Sequence, residues 1–376
     1  MTVALVSYPF AWLLLLPVSF LEYIGSLVSG IFFSSNLFFY FTETEYNTIP
    51  SLYKPLLHYW SLSVEEQFYI LYPLSLFLIY KYFKKNLILF FTIIAFLSFI
   101  LSLYLSLYNP SLNFYLFPTR IWELLVGAFA AKLHIENNKF VNNKSHIFLQ
   151  LLGIILIAFS ILYLRDFTEI WNRDTTLSKL LSSDLGLITL IPVIGTFLTI
   201  IFTNQKNLIN KFLSLKPIVF IGLISYSLYL WHVPIFSFIR ISTIDINSPI
   251  EYLLLIVFIF VLSVLSYYLI EKPFRNKNIT SLKKLFFFLF LIITILSSLS
   301  FHAFKNNGYS NIIPDYFKEF KIYDKARNPL FKKEKITNNL DESNVAHKEG
   351  NPLFETVLLI GDSHAGDFKE EIEKEL

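Results

Sequence analysis

The sequence predicts an all-α polytopic membrane helix bundle of about nine or ten apolar helices, followed by a polar linker and the first strand, turn and helix of an α/β domain. Three observations lead there. Hydrophobic residues make up 55% of the 376 and charged residues only 16%, well below the quarter that soluble chains carry. Apolar runs of about 17 to 22 residues, each able to cross ~30 Å of hydrocarbon at 1.5 Å per residue, recur between Val3 and Ala303. Past Phe304 the composition turns abruptly polar and rich in Lys, Glu and Asn, with Pro314, Pro329 and Pro352 interrupting any long helix.

The runs from residue 66 onward fall at 66–80, 86–107, 120–134, 147–164, 184–203, 218–239, 250–270 and 284–303. Alternate loops between them differ in charge. One set holds fourteen basic residues, from Lys81, Lys84 and Lys85 through Lys283 and Lys284; the other holds only Arg165, Arg173, Lys179 and Arg240. Basic loops stay in the cytoplasm, so the tail after Phe304 is expected outside. Two further apolar segments, 3–20 and 22–41, precede these, and the second carries Gly25, Ser26, Ser29, Gly30, Ser34, Ser35 and Asn36, small and polar residues that suit burial in a bundle or a re-entrant path. The first has no basic leader and no small-residue cleavage site, and reads as a span.

Several function classes are excluded. The chain has no cysteine, which rules out disulfides, thiolate catalysis and cysteine-ligated metal. A net charge of +3, spread between spans, offers no stripe for nucleic acid. The seven histidines are scattered without paired ligand spacing, so no metal site is expected.

Polar residues inside apolar runs are costly and therefore informative. In His58-Tyr-Trp-Ser-Leu-Ser-Val-Glu-Glu-Gln-Phe-Tyr69 two carboxylates, Glu65 and Glu66, stand at the mouth of a span. A capped helix accounts for them equally well, with Ser63 and Glu66 forming a capping box. Arg120 and Glu123 in Phe117-Pro-Thr-Arg-Ile-Trp-Glu-Leu-Leu-Val-Gly127 lie three residues apart on one helix face and can pair, as a structural bridge or as part of a site. His232, in Ser225-Tyr-Ser-Leu-Tyr-Leu-Trp-His-Val-Pro234, is either a proton carrier or ligand or a hydrogen-bonded structural histidine.

These strings, with Tyr-Tyr-Leu-Ile-Glu-Lys-Pro-Phe-Arg at 267–275, resemble in content and order the acyltransferase-3 family of membrane O-acyltransferases, over residues 1 to about 303. A subgroup of that family carries an SGNH-hydrolase-like domain after its last span, and Val357 to Phe368 is similar to that domain's first block. The resemblance implies a membrane acyltransferase-like domain at 1–303, an extracytoplasmic linker at 304–355 and the start of an SGNH-like domain at 356–376. It implies a multi-pass protein of the bacterial inner membrane that moves an acyl group, usually acetyl, from cytoplasmic acyl-CoA to a hydroxyl of a surface polysaccharide such as lipopolysaccharide O-antigen or peptidoglycan. Membrane lipid, the glycan acceptor and acetyl-CoA or another acyl-CoA as donor substrate are then the partners, with no metal. Ser363 would be the SGNH nucleophile on a strand-to-helix turn, and Glu65, Glu66, Arg120, Glu123 and His232 the polar lining of the membrane site. Two departures are expected to matter. The family's opening span with a catalytic histidine and its arginine-rich loop do not occur before Val3, and the chain stops at Leu376, before the partners of Ser363. The bundle is thus expected to lack its first spans, the SGNH-like domain to be truncated, and the chain alone to be inactive. A glycan or lipid permease, or a scaffold without catalysis, is the competing reading; it needs buried charges but no Gly-Asp-Ser-His turn.

Overall fold

The computed structural model describes residues 1–43, 50–83, 86–136, 144–170, 186–203, 208–242, 248–276 and 280–312, and no strand occurs among them. Most of the linker and all of 356–376, Ser363 included, lie outside the described residues.

The front of the chain departs from the two expected apolar segments. It forms three short helices, α1 (Thr2–Leu14), α2 (Pro17–Ile31) and α3 (Ser35–Glu43). The breaks have local causes. Leu16 is extended, as the residue before a proline prefers, and Pro17 opens α2 where its missing N–H costs nothing. After Ile31 the chain passes through Phe33, held at φ 53° in the left-handed region that ends helices. Longer helices follow: α4 (Tyr59–Phe83), α5 (Leu87–Tyr108), the single turn α6 (Pro110–Tyr115), α7 (Phe117–Glu136) and α8 (Lys144–Ile170). Then come α9 (Leu190–Ile201), α10 (Leu208–Leu213), α11 (Lys216–Ile241), α12 (Pro249–Ser266), a π-helical turn at Tyr267–Glu271, α13 (Lys272–Arg275) and α14 (Leu282–Lys305).

Among the described residues four helical stretches are long and apolar enough to cross a membrane: Leu87–Tyr108, Lys216–Ile241, Pro249–Arg275 and Leu282–Lys305. Shorter apolar helices, Thr2–Leu14, Pro17–Ile31, Ile147–Tyr163 and Leu187–Ile201, pack among them. The distribution of side chains is inverted relative to a soluble protein. On α5 the buried face is Phe91, Ser98, Ser102 and Ser106, while Leu89, Phe96 and Leu97 point outward. On α12 Ser263 and Ser266 are buried, and Leu253, Leu254 and Phe258 are exposed. Bulky apolar residues outside and small ones between helices is the arrangement that lipid selects, because hydrocarbon solvates leucine as well as the interior does. The protein is a multi-pass membrane protein.

Two cores hold the helices. Tyr8, Phe20, Tyr23, Ile24 and Leu27 of α1 and α2 pack with Tyr59, Phe238 and Leu296, and the Tyr23 hydroxyl donates to the Ala4 carbonyl at 3.2 Å. A smaller cluster joins Ile79, Phe91 and Leu125 of α4, α5 and α7. Beyond α14 a 3-10 turn (Asn307–Ile312) folds back on α2. Gly308 sits there at φ 65°, and a Cβ on it would come within 2.5 Å of the Pro17 carbonyl oxygen.

A second close backbone approach joins α8 to α9. A Cβ built on Gly153 would lie 2.6 Å from the Gly195 carbonyl oxygen, and one on Gly195 would lie 2.8 Å from that of Gly153. Only two glycines let these helices meet. Gly195→Val is expected to separate them and lower stability in detergent by about 1–3 kcal/mol. Gly222→Ala, with nothing within 4 Å of the new methyl, should leave the melting temperature unchanged or raise it; thermal unfolding of both purified variants measures this.

Candidate functional site

The site assembles from α4, α7, α11 and the turn before α4. That turn holds His58, and α4 starts at Tyr59, so Glu65 and Glu66 lie in the helix's second turn instead of at its mouth. The capping box considered for Ser63 and Glu66 is therefore absent: Ser63 is interior to the helix, buried, and its hydroxyl accepts from the Ser35 amide at 3.1 Å, tying α3 to α4. The capping box that does form is Ser248 with Glu251 at the start of α12. Glu65 is exposed to the surface of the described bundle and Glu66 is partly buried. Their carboxylates lie within electrostatic range of each other, and Glu65 within range of Tyr226 and Tyr229 of α11.

Tyr229 is the centre of the α4–α11 contact. Its hydroxyl donates to the His58 carbonyl at 3.1 Å and is hydrogen-bonded to the Ser61 hydroxyl. Three residues on, His232 donates from Nδ1 to the carbonyls of Tyr229 at 2.7 Å and Leu228 at 3.2 Å. Carbonyls only accept, so the neutral ring is fixed with its proton on Nδ1 and a lone pair on Nε2. The His58 ring lies 6.2 Å from that of His232 and 5.5 Å from Tyr229. It is buried, at 4% exposure, and neither ring nitrogen has a hydrogen-bond partner among the described residues. A neutral imidazole held this way costs on the order of 1–3 kcal/mol, the penalty of a buried donor left unpaired.

On the other flank α7 supplies the ion pair expected from its spacing, Arg120 to Glu123 at 3.6 Å, both largely shielded. The Arg120 guanidinium also lies over the Trp60 ring at 4.7 Å and the Phe114 ring at 5.3 Å, and its Nε donates to the Phe114 carbonyl at 3.1 Å. Trp60 thereby links Arg120 to the segment carrying His58 and Ser61.

The structure thus brings Arg120 and Glu123 together, sets His232 beside the start of α4, and puts Glu65 within range of the α11 tyrosines. A second polar group sits deeper on α11, where Ser227 donates to Glu271 Oε2 at 2.9 Å and Arg275 holds Oε1 at 3.0 Å. Glu271 closes the π-turn, a feature common at functional positions. Sequence reading did not single out His58, Ser61, Tyr229 or Glu271. A signal existed for some of them: polar side chains recur at 226, 229 and 232, and at 58, 61 and 65, the spacing of one helical face. Among the described residues no cluster of three or more histidines and carboxylates could hold a metal ion.

Chemically, the arrangement offers a fixed imidazole lone pair, two unpaired carboxylates and a shielded guanidinium, the groups that proton abstraction and stabilisation of a developing oxyanion require. This combination in a lipid-embedded bundle defines a membrane-bound group-transfer enzyme class more readily than an anchor. The comparisons make the assignment: the model of the acyltransferase domain family matches residues 3–272, and the chain belongs to that family. It is similar to O-acetyltransferase OatA of Staphylococcus aureus (strain NCTC 8325 / PS 47), with 30% identity over 257 residues, 67% of this chain and 41% of that protein. Peptidoglycan O-acetyltransferase OatA of Listeria monocytogenes serovar 1/2a (strain ATCC BAA-679 / EGD-e) is 28% identical over 263 residues, 68% of this chain and 40% of its own. The putative peptidoglycan O-acetyltransferase YrhL of Bacillus subtilis (strain 168) is 26% identical over 275 residues, 69% and 41%. The chain thus spans about two fifths of the length of the curated relatives it matches. No solved structure matches it.

The Arg120 cradle depends on a planar cation, because only a guanidinium lies flat on two rings while donating sideways. Arg120→Lys keeps the charge and is expected to cost about 1–2 kcal/mol of stability, read as a lower melting temperature, with a change in Trp60 emission once the cation leaves its ring.

Proposed function

We propose that this protein is an O-acyltransferase that moves an acyl group, acetyl in the first instance, from cytoplasmic acyl-CoA to a hydroxyl of a cell-surface glycan, with peptidoglycan the leading acceptor. The observation that carries the reading is that Tyr229, one turn from the tautomer-fixed His232, lies within electrostatic range of both Glu65 of α4 and Arg120, which pairs with Glu123, in a bundle of the acyltransferase domain family. The names of the relatives favour acetyl as the group and peptidoglycan as the acceptor. The excess of basic residues on alternate loops supports a reading in which those loops lie in the cytoplasm of a bacterial inner membrane and the tail after α14 lies outside, so that donor and acceptor meet the protein from opposite faces.

In this mechanism His232 takes the proton of the acceptor hydroxyl through Nε2, since Nδ1 is committed to the backbone. Arg120, with a largely shielded charge, is placed to stabilise the oxyanion that forms as the hydroxyl attacks the acyl carbonyl. Glu123 holds Arg120 in place, and Glu65 and Glu66 lie within electrostatic range of Tyr226 on α11. The bond to the acceptor oxygen forms as the bond to sulfur breaks. Ser363, outside the described residues, is proposed to serve a second transfer on the external side, as nucleophile of an SGNH-like domain.

His232→Gln and Glu66→Gln in the full-length protein are expected to lower glycan O-acetylation by about 10²–10⁴-fold, the range of a lost general base or its support, at unchanged abundance in the membrane. Mass spectrometry of the purified surface glycan gives the measure. Acetylation that persists in both variants would favour the permease reading instead.

A further inference from the structure

Transfer between a donor on one face of a membrane and an acceptor on the other creates a proton imbalance. This inference rests on the function proposed above. The acceptor, which comes from the outer phase, loses its O–H bond as the O–acyl bond forms; the donor, which comes from the inner phase, loses its acyl–sulfur bond and gains an S–H bond. One proton is released outside and one consumed inside. Were each exchanged with its own aqueous phase, every turnover would move one positive charge outward, against an inside-negative potential. A path for the proton within the protein removes that charge movement.

The α4–α11 seam has the construction such a path requires. From the turn before α4 and down that helix run His58, Ser61 and Glu65, and against them, in reverse order, stand His232, Tyr229 and Tyr226 of α11: His58 meets His232 and Tyr229, Ser61 meets Tyr229, and Glu65 lies within range of Tyr226. One residue beyond Tyr226, Ser227 donates to Glu271, whose other oxygen is held by the exposed Arg275. From His58 to Glu65 the chain advances about 10 Å, and Glu271 to Arg275 adds about 6 Å, so the series spans about half of the ~30 Å apolar depth and ends about 16 Å from the start of α11. Hydroxyls, imidazoles and carboxylates both take and give protons. His58 fits the role especially well: buried, next to His232, it has among the described residues no partner that fixes either nitrogen, so one can receive a proton while the other releases one.

We propose that the side chains along this seam return the acceptor hydroxyl's proton to the leaving thiolate, so that acyl transfer across the membrane is electroneutral.

The test uses the purified full-length protein in liposomes, with acetyl-CoA trapped inside, chitopentaose outside as acceptor, a pH-sensitive dye in a weakly buffered external phase, and potential set by potassium and valinomycin. Acetylated chitopentaose is counted by mass spectrometry. Expected is external release of fewer than about one proton per ten acetyl groups and a rate that changes by less than about twofold under an inside-negative potential. Tyr226→Phe, which removes one oxygen and keeps the ring, and Ser227→Ala are expected to slow transfer about tenfold or more, to release about one proton outside per acetyl, and to make the rate fall with potential. Monodisperse elution and unchanged melting establish that the variants are folded. About one proton released per acetyl by the wild type overturns the relay and leaves the proposed function standing. Variants indistinguishable from wild type in rate and proton release overturn the assignment of the path to this seam. Absence of acetyl transfer by the wild type overturns the function and the relay with it.

Discussion

The cost of placing polar groups in hydrocarbon governs this structure. A bundle whose outward surface is leucine and phenylalanine gains nothing by burying more of the same, so its helices are held by close backbone approach and by hydrogen bonds among the few polar side chains kept inside. Gly153 against Gly195 is the first device; Tyr23 to Ala4, Ser63 to Ser35 and Tyr229 to His58 are the second. Each such group must be satisfied or reserved for something. Most are satisfied. His58 is among those that are not, and it lies beside the residues with the chemistry.

The Lys54–Glu22 ion pair illustrates the same constraint at the front of the bundle. Lys54, in the segment before α4, is buried and meets Glu22 of α2 at 2.9 Å, with the Phe39 ring 5.8 Å away. Removing either partner would strand a charge in a largely desolvated place. The pair thereby fixes the segment that carries His58 four residues later.

Much of the fold could be read from the chain, since the positions of most apolar runs follow from length and hydropathy. The Arg120–Glu123 pair was equally legible, because a three-residue spacing brings both side chains to one face whatever surrounds them. Pro17 and Phe33 broke the reading at the front: an apolar run records what lipid tolerates, whereas a helix break records backbone dihedrals, and a phenylalanine at φ 53° leaves no trace in hydropathy. The start of α4 was misplaced for a related reason, as His58 and Tyr59 look like loop residues until tertiary contacts bury them. Glu271 was read only as part of a motif; its partner Ser227 lies forty-four residues away, and no local pattern announces that meeting.

The π-turn at Tyr267–Glu271 sets which way Glu271 faces. A π-turn winds more residues into one revolution than the helix on either side, so whatever follows it is rotated about the axis relative to an uninterrupted helix. The carboxylate that meets Ser227 owes its direction to the number of backbone units in that revolution and not to the kind of side chains there. Loss of one unit would swing the carboxylate about 100° around the axis, away from Ser227, while leaving every residue type of the motif in place.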